Sequence, residues 1–547
     1  MYNKNHLLYS VMKFKYDKNT EELIVQESSR IEYHQIGLWL TRHVKGYRFM
    51  PAFKMGVWNG QQTYFKNGKI NLGLWKEAMR GCQEIGAPFI VENKEDFPIN
   101  RDVTLEKVKD FCKDFFKTHK VINKQKELID FMPYDHQIES AYKILKNRYC
   151  MAEVATSGGK SLIISLVIFY TLKYINPKAK FLIIVPSITL VTQFYDNIVE
   201  YNLGLNNIIE MRENNSDKIL NKKHHPVEIR IEEVMSERPR KWSGTQDANI
   251  YIGTYQSLEK WPKEFFKQFH TVVTDEAHGA KAKTITTILE HTFNSAYSRF
   301  GVSGTFPEDN TCEILTIQSV LGPKITEVSA VELKEKGIIT PMEIKAVIMN
   351  HNDYEFDERI KLIKKSGSGK DAFDLEKDYI HISEKRLEFI KKIVDKCDSN
   401  TLLLFHTIEY GQKIYQKLKS ELTNKEFFYI DGEISGKKRE EIKKQMESTE
   451  NNVKVLIASY GTLSTGVSIN AIFNVVFADS FKSEQIIIQS IGRALRLHDD
   501  KKKAMIFDLV DVYVPQNHNN ILYNHFRERE RFYQKRKYPY KIIKVNI

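Results

Sequence analysis

The stretch Glu153-Val-Ala-Thr-Ser-Gly-Gly-Lys-Ser161 follows the strand-like run Tyr149-Cys-Met-Ala152 and opens onto an apolar helical run, Leu162 to Tyr170. A strand, a loop of small residues ending Gly-Lys-Ser, then a helix is the arrangement of a phosphate-binding loop. Gly158 and Gly159 let backbone N–H groups approach a polyphosphate, and the helix N-terminus adds a favourable dipole. Lys160 is placed to reach the outer phosphates as a point charge, and the Ser161 hydroxyl to bind magnesium. Thr156 and Ser157 complete the expected nucleotide-binding loop. The usual first glycine falls at Val154, so this stretch alone leaves a chance turn as the alternative.

The 547 residues suffice for several cores, and 42% hydrophobic with 28% charged residues is the composition of an ordinary globular chain. A formal net charge of +12 favours a polyanionic partner, and is compatible with solubility alone. Cys82, Cys112, Cys150, Cys312 and Cys397 are odd in number and scattered, which fits neither a disulfide framework nor a zinc site. No apolar run is long enough to span a bilayer, and the N-terminus lacks a signal-peptide pattern. A cytoplasmic protein without membrane contact is expected, in the host cell if phage-encoded.

Residues 1–120 read as a separate α+β domain. Between Arg42 and Arg80, eight Lys/Arg stand against the single acid Glu77, interleaved with Tyr47, Phe49, Phe53, Trp58, Tyr64, Phe65 and Trp75. Aromatics beside cations suit base stacking and phosphate neutralisation, with Tyr47, Arg48, Lys54 and Trp58 as candidate contacts. The alternative is a small sheet whose core the aromatics fill; a mixture of the two is expected. Asn59-Gly60 is a hairpin signal. Residues 101–130 are charged and helical in pattern, and read as a connector.

From Phe131 onward short apolar strands alternate with helices, which implies a doubly wound parallel sheet. A polar insertion between Met211 and Asn249, with Lys222-Lys-His-His225 and Arg238-Pro-Arg-Lys241, reads as a solvated loop or a DNA-facing arm. The first core is expected to end near Leu333–Pro341, spanning 121–340. A second alternating series without a phosphate loop spans 341–515, the mark of a duplicated core. From 516 the chain reads as a basic aromatic extension, with eight Lys/Arg and two Glu from Arg527 to Lys544.

Thr274-Asp-Glu-Ala-His278 directly follows an apolar strand. There Asp275 would hold magnesium and Glu276 would polarise the attacking water. With these two motifs the chain resembles superfamily 2 helicases, and further segments are similar to the remaining motifs in that family's order. Gln137 in Pro133-Tyr-Asp-His-Gln resembles the adenine-reading glutamine. Pro186-Ser-Ile-Thr-Leu-Val-Thr-Gln193 and Gly253-Thr-Tyr-Gln-Ser257 resemble strand-contacting segments, which makes Pro186, Gln193, Thr254 and Gln256 candidate nucleic-acid contacts. Ser303-Gly-Thr305 resembles the segment that couples the acidic motif to the second core, with His278, Ser303, Thr305 and Gly466 in that role. Phe405-His-Thr407 and Ser459-Tyr-Gly-Thr-Leu-Ser-Thr-Gly-Val-Ser468 are similar to motifs IV and V, so that His406 and Ser459 are further contacts. Gln489-Ser-Ile-Gly-Arg-Ala-Leu-Arg496 is a close match to motif VI. The resemblance assigns Arg493 and Arg496 as arginine fingers, with Gln489 nearby.

The resemblance implies two tandem RecA-like motor domains behind a small accessory domain, an α/β architecture with a DEAH-type acidic motif. It also implies hydrolysis of ATP with magnesium, the catalytic set being Lys160, Glu276, Gln489, Arg493 and Arg496. Thr-Gly-Val-Ser468 and Gly-Arg-Ala-Leu-Arg496 are similar to DNA translocases more than to RNA-remodelling relatives. Gly46-Tyr-Arg-Phe-Met-Pro-Ala-Phe-Lys-Met-Gly-Val-Trp-Asn-Gly60 looks like the accessory domain of UvsW-type branched-DNA helicases of bacteriophages, a subgroup in which Val154 is no anomaly. The expected partner is branched or partly single-stranded DNA in replication, recombination and repair, bound by a chain that is monomeric without it. Three alternatives stay open: an RNA helicase, a restriction-type translocase subunit, and a nucleic-acid-binding scaffold that ATP switches.

Overall fold

The computed structural model describes residues 11–117, 120–122, 128–203, 231–234, 248–367, 369–448, 452–464, 469, 471–495, 501, 503–514 and 520–547. Two compact units make up the chain: Met1–Val154 with Gly159–Val328, and Ser329–Ile547, with which Ala155–Gly158 are grouped. The change of unit at Val328/Ser329 comes earlier than the 340/341 boundary expected from the sequence.

The first unit begins with the α+β domain. Strands β1 (Met12–Asp17) and β2 (Glu22–Glu27) are antiparallel, β3 (Thr41–His43) and β4 (Gln61–Thr63) form a separate ribbon, and β5 (Lys69–Asn71) and β6 (Phe89–Glu92) complete a sheet in the order β5-β2-β1-β6. Alternation in β1 buries Met12, Phe14 and Tyr16 and leaves Lys13 and Lys15 outside. Asn59-Gly60 is not a two-residue hairpin turn. Residues 44–60 join β3 to β4 through a 3-10 turn (Tyr47–Phe49) and a helical turn (Pro51–Lys54). Gly60, at φ +79°, closes that loop against the Tyr47 ring, where a Cβ would come within 2.1 Å.

This domain shares one apolar cluster with the sheet that follows it, running from Phe14, Leu23 and Leu74 to Tyr149, Leu315 and Val320. The stretch read as a connector is also part of the packed unit. Helix Leu105–Phe116 buries Phe111, Phe115 and Phe116, and Phe115 stacks on Phe169 at 4.9 Å. A short ribbon of β7 (Lys120–Ile122) and β8 (Leu128–Asp130) leads on from it.

Two seven-stranded sheets follow. The first holds β9 (Tyr149–Val154), β10 (Phe181–Val185), β11 (Ile231–Val234), β12 (Ile250–Thr254), β13 (Thr271–Asp275), β14 (Ser298–Ser303) and β15 (Lys324–Val328), in the order β11-β12-β10-β13-β14-β9-β15. The second holds β16 (Met342–Asn350), β17 (Thr401–Phe405), β18 (Lys425–Ile430), β19 (Val453–Ser459), β20 (Asn474–Phe477), β21 (Ala504–Val512) and β22 (Tyr540–Asn546), in the order β18-β19-β17-β20-β21-β16-β22. Every described pairing in both is parallel, and the order relative to the first strand is the same in the two sheets. These are the tandem RecA-like domains expected from the alternating strands and helices. Strands such as β9, β10 and β13 are buried along their whole length, as parallel strands covered on both faces must be.

Two readings of the sequence change here. Ile231–Val234, inside the stretch read as a solvated insertion, is the edge strand β11 paired with β12; the Lys222–His225 and Arg238–Lys241 clusters lie outside the described residues. The basic tail is no appendage, because its last strand, β22, pairs with β16 along Ile344–Asn350. Helix Ile521–Lys535 buries Arg529 against Asp508 (2.9 Å), and Tyr533 donates to the same carboxylate at 2.9 Å. The Glu376 carboxylate accepts the Ile521 and Leu522 N–H groups at 2.9 and 3.0 Å, which satisfies the N-terminus of that helix. Among the described residues no helix is long and apolar enough to cross a membrane. All five cysteines are buried free thiols.

Candidate active site and nucleic-acid interface

In the first sheet β14 lies between β13 and β9, with Asp275 beside Val302 and Ser303 beside Glu153. The carboxyl ends of three adjacent strands therefore deliver the acidic pair, Ser303 and the phosphate loop to one edge, where open parallel sheets bind ligands. The loop turns through left-handed backbone at Ser157 (φ +69°) and Gly159 (φ +82°), and helix Lys160–Tyr170 starts directly after. Gln137 is buried beside it. Its Oε1 accepts the Tyr134 N–H at 2.9 Å, and its Nε2 lies where a Cβ on Gly159 would come within 2.0 Å. Thr156, Ser157, Lys160 and Ser161 are half-buried, and Gly158 is buried.

Lys160 Nζ lies 3.4 Å from Glu276 Oε1. Glu276 Oε2 is 3.3 Å from His278 Nδ1, which is itself 2.9 Å from Ser303 Oγ. Ser303 Oγ donates to the Thr305 carbonyl at 2.7 Å and reaches Glu276 Oε2 at 3.4 Å. The structure thus brings Lys160, Glu276, His278, Ser303 and Thr305 into one network. Burial opposes the charge on Glu276, but Lys160 and His278 outweigh it and hold the carboxylate below its usual range. Burial and then the neighbouring Glu276 charge push Asp275 the other way, upward.

Asp275 Oδ1 is buried with no hydrogen-bond partner among the described residues. Buried acceptors are normally satisfied, so this orphaned oxygen suits a cation. This carboxylate oxygen and the Ser161 hydroxyl are the kinds of donor that magnesium takes when phosphates and water supply the rest.

Pro186 and Thr254 stand at the carboxyl ends of β10 and β12, where Val185 pairs with Thr254. Gln193 is half-buried on helix Ile188–Leu203 and Gln256 is exposed. Thr254 is buried and its hydroxyl caps the next turn, accepting from Ser257 N–H at 3.3 Å, so its side chain is committed internally.

The aromatic stretch divides by burial. Phe65 is core, and Tyr64 donates to the Cys312 carbonyl at 2.7 Å. On the 44–60 loop Tyr47 stacks on His43 at 4.5 Å, meets Phe53 edge-on and carries Arg48 beside it, while Trp58 Nε1 donates to the Gln61 carbonyl. Lys54 is exposed, and Phe49, 81% exposed, has no core role at all.

In the second unit Phe405 pairs with Ser459 across β17 and β19. His406 is exposed, but its backbone N–H donates to Asp479 Oδ2 at 3.1 Å. Asp479 also lies 3.2 Å from His381 Nε2, and its carbonyl accepts the Tyr460 hydroxyl at 3.0 Å. One buried residue therefore pins both segments expected to grip nucleic acid. Sequence reading missed it, although an acid after the apolar run Val475-Val-Phe-Ala478 is the signal that found Asp275. Ser459 Oγ bonds Thr462 Oγ1 at 2.6 Å. Gln489 and Arg493 lie on helix Glu484–Ala494; Gly466 and Arg496 lie outside the described residues.

The DEAD/DEAH box helicase family matches residues 134–314, and the helicase conserved C-terminal domain matches residues 385–498. The chain carries the two-domain core of an ATP-hydrolysing superfamily 2 helicase. The helicase is 28% identical over 529 residues to the ATP-dependent DNA helicase uvsW of Enterobacteria phage T4, covering 94% of this chain and 96% of that one. It is 25% identical to putative helicase 22 of Sulfolobus islandicus filamentous virus, over 47% of this chain and 45% of that one. The structure of the ATP-dependent Type ISP restriction-modification enzyme LlaBIII bound to DNA shares its fold, with TM-score 0.56, 14% identity, and coverage of 78% of this chain and 32% of that chain.

Proposed function

We propose that this helicase is an ATP-driven motor on DNA that remodels branched structures such as forks, junctions and displacement loops. The observation that carries the motor reading is the cluster of Lys160, Glu276, His278 and Ser303 at one sheet edge. Lys160 holds the outer phosphates, and Gln137 reads the base from beside the loop. Ser161 and Asp275 would hold magnesium, which supplies charge neutralisation on the phosphates when bound. Glu276, kept ionised, accepts a proton from water as its oxygen bonds to the γ-phosphorus and the bond to the β,γ-bridging oxygen breaks. His278 and Ser303 orient that carboxylate and link its state to Thr305. Arg493 and Arg496, with Gln489, would stabilise the transition-state charge.

DNA as the track is supported by the T4 relative, an ATP-dependent DNA helicase that aligns along almost the whole chain. The exposed aromatic and cationic loop at 44–60 supports a branched substrate, since stacking and phosphate contacts there carry little sequence information. Pro186, Gln193, Gln256, His406 and Ser459 would follow the backbone of one strand, with Gly466 coupling that grip to hydrolysis. The working compartment on this reading is the host-cell cytoplasm, and the chain works as a monomer until it meets DNA.

The test compares ATPase rate and strand displacement on single strands, duplexes, forks, four-way junctions and RNA, with Lys160→Ala as control. Branched DNA should give the highest stimulation, and binding should weaken steeply with salt. Stimulation by RNA and not by DNA would replace this reading with that of an RNA helicase. Binding without any strand movement would leave an ATP-switched scaffold.

A further inference from the structure

The β3–β4 ribbon carries the 44–60 loop at its tip, and its base rests on the segment that leaves the ATP site. Residues 304–311 run from Ser303, which touches Glu276 and His278, to helix Cys312–Leu321. Near its end Asn310 adopts left-handed backbone (φ +67°), a conformation that costs a residue with a Cβ unless its surroundings hold it.

Two arginines of the accessory domain provide that hold. Arg42 Nε, on β3, donates to the Asn310 carbonyl at 3.0 Å, and Arg80 Nη2 donates to Asn310 Oδ1 at 2.5 Å. Both guanidinium groups pair with the nearly buried Glu77, at 3.6 and 3.0 Å, and both lie over the Trp39 ring. On the opposite strand, Gln62 pairs with Arg42 in the ribbon and Gln62 Oε1 lies 3.3 Å from Cys312 Sγ. Tyr64 bonds the Cys312 carbonyl and Thr316 Oγ1 at 2.7 and 2.6 Å. At Gly73 the accessory domain meets the same helix so closely that a Cβ would fall 2.0 Å from the Gln318 carbonyl oxygen.

A three-residue ribbon is only about 10 Å long, too short to absorb a displacement at its tip by bending. We propose that Arg42 and Arg80 are positioning residues that couple nucleic acid on the 44–60 loop to the ATP site. With nucleic acid on the loop, they carry its position through Asn310 and the 304–311 segment to the Ser303 hydroxyl, so that Glu276 is set to orient water only in that bound state. This inference rests on the reading of the protein as a nucleic-acid-stimulated ATPase. It gives the accessory domain a task beyond binding.

The experiment measures ATPase rate with and without a saturating four-way junction, and junction affinity by fluorescence anisotropy. Wild type, Arg80→Ala, Asn310→Ala and the double variant are compared, all in the full-length chain. In each single variant the junction-saturated kcat should fall about tenfold, as misplacement of a reacting group does, while basal rate and junction affinity stay at the wild-type level. The double variant should fall no further, because the Arg80–Asn310 contact is already lost in either single variant. Unchanged stimulated kcat, additive losses, or parallel loss of affinity and stimulation would each overturn the coupling. Should Arg80→Ala lower the melting temperature, Asn310→Ala, at an exposed loop position, decides alone. A wild-type rate that no nucleic acid raises would overturn the functional reading itself, whereas a stimulated wild type with unimpaired variants overturns only the coupling.

Discussion

Lys160 Nζ and Glu276 Oε1 face each other across 3.4 Å, both side chains at least four-fifths shielded from solvent. The lysine holds the carboxylate ionised, and phosphate oxygens would compete for the same ammonium. Arrival of nucleotide would therefore free Glu276 to engage water as the lysine changes partner.

This exchange separates two variants. Glu276→Gln should retain nucleotide binding and lose at least about a hundredfold in kcat, because only proton acceptance is removed. Lys160→Ala should lose both affinity and turnover. A fluorescent nucleotide titration beside steady-state ATPase measures the split; equal loss of affinity in the two variants would contradict it.

Gly159 combines a left-handed φ of +82° with the Gln137 amide where a Cβ would sit. Gly159→Ala should weaken nucleotide binding at least about tenfold, since both backbone strain and a clash with Gln137 are introduced. Adding Gln137→Ala removes the clash and leaves the strain, so nucleotide titration of the double variant should show only partial recovery. Full recovery would mean that backbone conformation at Gly159 is of no consequence.

The C-terminal residues hold the second sheet together. Arg529→Ala leaves Asp508 buried without its cation, a change worth about 3–5 kcal/mol, and should lower the melting temperature by several degrees. Deletion of residues 520–547 should prevent the second unit from folding, because β22 and the helix that buries Arg529 are lost. A truncated protein with wild-type circular dichroism and melting temperature would count against this packing.

Two half-buried histidines set an acid limit. Burial, and then the nearby Arg148 and Arg529, lower His270 and His525 to about 4. The unfolded chain, with ordinary histidines near 6.5, binds more protons in between, so their contribution is complete above that value and is lost as pH falls toward 4. Asp275, pushed upward, works in the opposite direction over part of this range. The informative quantity is therefore a difference: between pH 7.5 and 5.0 the wild type should lose a few degrees more than His270→Gln/His525→Gln does. Equal losses would remove the histidines from the account.

What the sequence determined by itself was local. The small-residue loop before Lys160 and Ser161, the acids after the Thr271–Thr274 run, and the apolar segments repeating between helices each carry their meaning in a few consecutive residues. Periodicity and side-chain size act over that range, and they sufficed for two parallel sheets and for the residues of one candidate nucleotide site. Tertiary structure decided where charge is buried. Arg529 sits in a basic stretch that reads as solvated, Glu21 finds Arg299 and Tyr149 far along the chain, Asp479 fastens the His406 backbone, and Asn310 is gripped by Arg42 and Arg80. An arginine or a carboxylate has the same identity on a surface as in a core. Only the partner that repays its desolvation distinguishes the two, and here that partner lies between 21 and 278 residues away.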